Sequence, residues 1–121
     1  MAEISPPDQV AQQAEQWLAQ LDQALARQDI DGAGALFDGE ECFWRDLAAF
    51  TWNIVTSEGR DQIRAMLQAT LAQARPARWQ VVGTPDARSG VTTAVFRFET
   101  AQGRGQGVLR LRDGRCWTLL T

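Results

Sequence analysis

Along the first quarter of the chain, apolar positions keep a helical rhythm. Val10, Ala14, Trp17, Leu18, Leu21 and Leu25 recur three or four residues apart, with Gln, Glu and Asp between them, so one face of a helix is apolar and the other wet. Ser5 as a cap, Pro6 in the first turn and Asp8 near the positive end of the dipole predict its start, and the stripe fades near Gln28. Asp29 then caps a short second helix carrying Ile30, Ala33, Leu36 and Phe37 and broken by Asp38-Gly39.

The rhythm changes to strand-like over Glu41 to Leu47 and again over Thr51 to Thr56, both rich in aromatic and β-branched residues. Ala48 to Thr51 connects them. Ser57-Glu58-Gly59 opens a third helix with Ile63, Met66, Leu67, Thr70 and Leu71 on one face, ended by Pro76. Four strand-like runs follow: Arg78 to Thr84, Val91 to Thr100, Gly103 to Arg112 and Arg115 to Thr121. Pro85 to Gly90, Ala101-Gln102-Gly103 and the hairpin signal Asp113-Gly114 separate them. Helices gathered early and strands gathered in hairpins predict a single α+β domain over residues 1–121, its antiparallel sheet curved around a helix layer.

Composition narrows the chemistry. There are 121 residues, twelve basic and fifteen acidic, for a formal charge of -3. The twelve basic residues are all arginine, scattered along the chain as expected of a GC-rich bacterial genome, and no cationic run offers itself to nucleic acid. Without histidine, lysine or tyrosine, imidazole bases, Schiff-base lysines and phenolic donors are excluded. Cys42 and Cys116 lack the spacing of a zinc or dithiol motif, so no metal is expected and two buried reduced thiols are. No stretch approaches the about 18 apolar residues of a membrane span, and the first residues show no basic segment followed by an apolar run; the expectation is a cytoplasmic protein.

The element order and several short motifs resemble the nuclear transport factor 2-like, or SnoaL-like, superfamily. The motifs are a Trp in the first helix, Asp29-Ile30-Asp31 opening the second, Phe37 before Asp38-Gly39, Asp46 ending the first strand, and Gly59-Arg60-Asp61-Gln62-Ile63 opening the third helix. The resemblance implies a cone-shaped α+β fold in which a strongly bent, antiparallel-rich sheet of about six strands packs on three helices around a small-molecule pocket. Phe43-Trp44-Arg45-Asp46-Leu47, Thr51-Trp52-Asn53 and Trp117-Thr118-Leu119-Leu120-Thr121 are similar to a domain found ahead of the flavin-binding part of some bacterial flavin monooxygenases. The chain itself carries no dinucleotide fingerprint: Gly103-Arg104-Gly105-Gln106-Gly107 has the wrong spacing and precedes a strand, and no cofactor is expected.

Three functions follow from the resemblance. The first is a binding module, stand-alone or accessory to a flavin monooxygenase, that holds a small apolar organic ligand against Trp17, Trp44, Trp52, Asn53 and Phe96. The second is a small isomerase, cyclase or hydrolase in which Asp46, desolvated between Trp44 and Trp52, is the general acid or base and Asn53 orients substrate or water. The isomerase branch adds a tyrosine and a second acid as oxyanion donors; the corresponding positions here fall near Leu21 and Gly107. The third is a structural dimerisation domain whose pocket is filled by its own side chains. Without catalysis, Asp46 would pair with Arg45, Arg60 or Arg97, or cap a neighbouring turn. Strand alternation sets Val95, Arg97 and Glu99 against Ala94, Phe96 and Phe98, and puts Arg110 and Arg112 together on one face. Dimers through the sheet face are common in the superfamily, so a homodimer is expected.

Overall fold

The computed structural model describes residues 7–121; the Ser5-Pro6 helix start and the Asp8 side chain lie outside the described residues. Helix α1, Pro7–Ala26, buries Val10, Ala14, Trp17, Leu18, Leu21 and Leu25, the stripe its periodicity predicts. Helix α2, Ile30–Ala35, starts where the Asp29 carboxylate accepts from Gly32 N–H at 3.0 Å. It stops before Phe37, which instead bridges to Cys116. Strands β1, Phe43–Leu47, and β2, Ile54–Glu58, lead into α3, Gly59–Ala74.

The junction of β2 and α3 explains one motif. Gly59, at φ +82°, makes the left-handed step from strand to helix that glycine alone takes without strain. Gln62 reaches back to accept from Glu58 N–H at 2.8 Å. Arg60 donates from Nε and Nη2 to Phe37 O at 3.1 and 2.6 Å, so it holds the carbonyl that follows α2. The helix ends as Arg75 turns left-handed and donates to Leu71 O.

Strands β3, Ala77–Arg88; β4, Val91–Thr100; β5, Gly103–Arg112; and β6, Arg115–Leu120, form a meander. The sheet order is β2-β1-β6-β5-β4-β3, antiparallel except where β1 runs parallel to β6, Phe43 opposite Thr118 and Trp44 opposite Leu119. Residues Pro85 to Arg88, expected in a connection, continue β3: Asp86, Ala87 and Arg88 pair with Thr93, Thr92 and Val91. Gly83, at φ +71°, and Pro85 fall in the register shift between Val82 and Asp86. A proline is tolerated there because β3 is an edge strand and a bulge needs no ladder donor. The turn shrinks to Ser89-Gly90, both left-handed, as in a two-residue hairpin. β2 starts three residues later than expected, because Thr51 to Asn53 belong to the β1–β2 loop.

Across the sheet, Ala94, Phe96 and Phe98 face inward with Leu109, Leu111 and Leu119, all buried against the helices. Gly105 and Gly107 stand opposite Phe98 and Phe96, and a Cβ on either would collide with those rings. The glycine repeat of β5 makes room for two phenylalanines. On the outer face Val82, Val95, Val108 and Leu120 lie side by side on four neighbouring strands.

Candidate functional site

The interior between α1 and the inner sheet face is lined with rings. Trp17 meets Phe37 edge-on at 5.6 Å, Phe37 stacks on Trp44 at 5.7 Å, and Trp44 meets Phe50 edge-on at 5.2 Å. Phe50 leans on Trp79 and Phe98, each 6.4 Å away, and Trp79 stacks on Phe98 at 4.8 Å. Phe96 completes the cluster 5.5 Å from Trp79. Offset and edge-on contacts at these separations each add about 0.5–1.5 kcal/mol beyond burial. Phe50 is the inward arm of the β1–β2 loop, and it fills the middle of the row.

Asp46 fixes that loop. It lies next to the last residue of β1 with 1% of its surface exposed, opposite Val55 of β2. Its Oδ2 accepts from Phe50 N–H at 2.9 Å and Thr51 N–H at 2.7 Å, and Thr51 Oγ1 lies 2.9 Å away. Its Oδ1 accepts from the Thr121 hydroxyl at 2.8 Å, and that hydroxyl accepts from Trp44 Nε1–H at 2.8 Å. Indole, hydroxyl and carboxylate thus form one directed chain in a buried setting, where such bonds polarise one another. A carboxylate so supplied with donors stays buried without a cation. The three arginines considered as its partners are engaged elsewhere: Arg45 near Thr56, Arg60 on Phe37 O, and Arg97 on Gln80 Oε1 at 2.7 Å. Asp46 caps the turn that follows its own strand.

The candidate ligand residues separate into two groups. Trp17, Trp44 and Phe96 are buried in the aromatic row, with Trp17 Nε1–H donating to Leu36 O at 2.9 Å. Trp52 and Asn53 stand outside it. Trp52 sits at φ +62° and is 65% exposed beside exposed Leu47 and Ile54. Asn53 is exposed too; its Oδ1 accepts from Ile54 N–H at 2.8 Å and its backbone carbonyl from Ala48 N–H at 2.9 Å. Because Asp46 seizes the backbone of Phe50 and Thr51, the chain turns Phe50 in and Trp52 out. Three residues of the interior escape a pattern reading. Trp79 lies on a strand broken by a bulge, Thr121 is 75 residues from Asp46, and Phe50 is the apolar end of Ala48-Ala49-Phe50, a stretch otherwise typical of a connection.

Cys42 and Cys116 are buried free thiols. Burial pushes both above the ordinary thiol value, Cys116 strongly so with help from its neighbour Cys42, whereas Arg60 opposes the shift at Cys42. On the outer face an open groove of about 340 Å³ runs between Arg78, Gln80, Arg97, Glu99 and Arg104, where Arg78 pairs with Glu99 at 3.3 Å. Arg112 lies 4.8 Å over the Trp117 ring and reaches Asp38 at 3.5 Å. No described helix is long and apolar enough to cross a membrane.

Among solved structures, that of an NTF-2 like protein of unknown function from Burkholderia xenovorans superposes with a TM-score of 0.58 at 13% identity, covering 94% of this chain and 82% of that one. The fold is nuclear transport factor 2-like. A Mycobacterium tuberculosis protein of unknown function, Rv3472, superposes on this fold with a TM-score of 0.70 at 17% identity, over 98% of this chain and 76% of that one. RV0760c from the same organism, in complex with estradiol-17beta-hemisuccinate, gives 0.61 at 14% identity over 96% and 92%. No protein-family model and no curated protein sequence matches the chain.

Proposed function

We propose that this nuclear transport factor 2-like domain binds a small apolar molecule in the aromatic interior between α1 and the inner face of the sheet. The observation that carries this reading is the state of Asp46. Its oxygens accept from Phe50 N–H, Thr51 N–H and the Thr121 hydroxyl, so it serves the site by holding a loop in place. The similar fold of RV0760c is in complex with estradiol-17beta-hemisuccinate, which supports a ring-bearing ligand for the same interior. The role is the same whether the domain acts alone or beside a flavin monooxygenase. The test is thermal unfolding in the presence of a panel of apolar ring compounds. A true ligand at about a hundred times its Kd adds about 2.7 kcal/mol and raises Tm by several degrees; a panel without any effect rejects the reading.

A second proposal concerns the outer face, where the Val82, Val95, Val108 and Leu120 band supports a homodimer. Val82 and Val95 are exposed, and an isologous contact would bury the same band on both copies.

A further inference from the structure

Among the indoles of the interior, Trp79 differs in one respect. Trp17 and Trp44 give their N–H groups to Leu36 O and Thr121 Oγ1. Trp79 is 92% buried, being 8% exposed, yet its Nε1–H has no hydrogen-bond partner among the described residues. The rings of Phe50, Phe96 and Phe98 pack against it and offer no oxygen or nitrogen. Buried donors in folded proteins are paired as a rule, so an orphan in an aromatic interior marks a place where an acceptor is missing. Beside it lies Phe50, brought in by a loop whose hold on Asp46 runs through backbone N–H groups. Rotating the Phe50 side chain about χ1 breaks neither of those bonds.

We infer that Trp79 Nε1–H is the polar anchor of the interior site, that the ligand is a neutral ring compound with a carbonyl acceptor, and that its ring takes the place of Phe50. This rests on the binding reading above and adds the ligand's class. A donor ligand would meet another donor at Trp79. A carboxylate would bring a charge into an interior lined by aromatic and aliphatic side chains, with no arginine among the buried described residues to meet it. A hydrocarbon would leave the indole as it is, unpaired.

The test uses two compounds of nearly equal shape, acetophenone and ethylbenzene, titrated into the full chain while the Trp79 indole proton is followed by NMR. Wild type, Phe50→Ala and Phe50→Leu are compared, the leucine variant standing in if the alanine variant fails to fold. Removing the Phe50 ring opens a ring-sized space, so both compounds bind more tightly than to wild type. Acetophenone binds about tenfold more tightly than ethylbenzene, as expected of one buried hydrogen bond gained, and moves the Trp79 indole proton downfield. Adding Trp79→Phe abolishes or reverses the preference for acetophenone, whose carbonyl is then buried without a donor. Equal affinities with Trp79 present, or an unmoved indole signal, overturn the anchor while leaving a site for apolar rings. Silence of all interior resonances towards both compounds, in every variant, removes the binding reading together with the anchor.

Discussion

The Asp46 carboxylate receives Phe50 N–H, Thr51 N–H and the Thr121 hydroxyl, and replacing one of its oxygens by an amide NH2 sets donor against donor. Asp46→Asn is expected to cost about 2–3 kcal/mol, read as a lowered urea midpoint, with Phe50 and Thr51 amides exchanging faster. A variant as stable as wild type would remove the capping role. The thiols act on a different axis. Burial raises Cys42 and Cys116 in the folded state, so the unfolded chain gives up its thiol protons first. Their contribution is complete below the unfolded thiol value, about pH 8.5, and is lost as pH rises towards the folded one. Stability should decline above that pH, and Cys116→Ala should flatten the decline in a series of urea melts from pH 7 to 10.

Among the elements, Arg60 joins α3 to the end of α2 through Phe37 O. Arg60→Leu is expected to cost about 1–2 kcal/mol, with loss of hydrogen-exchange protection concentrated in α2; a uniform loss over the domain would assign the cost to the core instead. The elements also mark how far the amino-acid pattern reaches. The Val10 to Leu25 stripe, the Ala94-Phe96-Phe98 alternation and the Asp113-Gly114 hairpin are legible because each is fixed by neighbours a few residues away. The extent of β3 is not, since Asp86 to Arg88 pair across a bulge whose form depends on β4. The candidate site divides the same way. Burial of Trp17, Trp44 and Phe96 follows from periodicity, whereas the outward Trp52 and inward Phe50 follow from where the Asp46 side chain points, which requires Thr121, 75 residues away in the chain.

For the whole molecule, the outer face poses the question of assembly. Val82, Val95, Val108 and Leu120 cross four strands in register, and Val95 lies near the middle of the band at 42% exposure. If the proposed dimer forms there, Val95→Glu places like charges at the contact and yields a monomer by sedimentation velocity, with thermal stability close to that of the isolated wild-type protomer. A dimer that survives the substitution locates the contact elsewhere. The parallel pairing of β1 with β6 bears on how the molecule is made. β1 and β2 can pair as soon as both exist, and β3 to β6 can form their meander in sequence, but Phe43 meets Thr118 only when residues 75 apart in the chain come together. Such contacts close large loops and form slowly. During synthesis, therefore, the Trp44 indole and Asp46 Oδ1 wait for the Thr121 hydroxyl until β6 has left the ribosome, whereas the local bonds of Asp46 to Phe50 and Thr51 can form first.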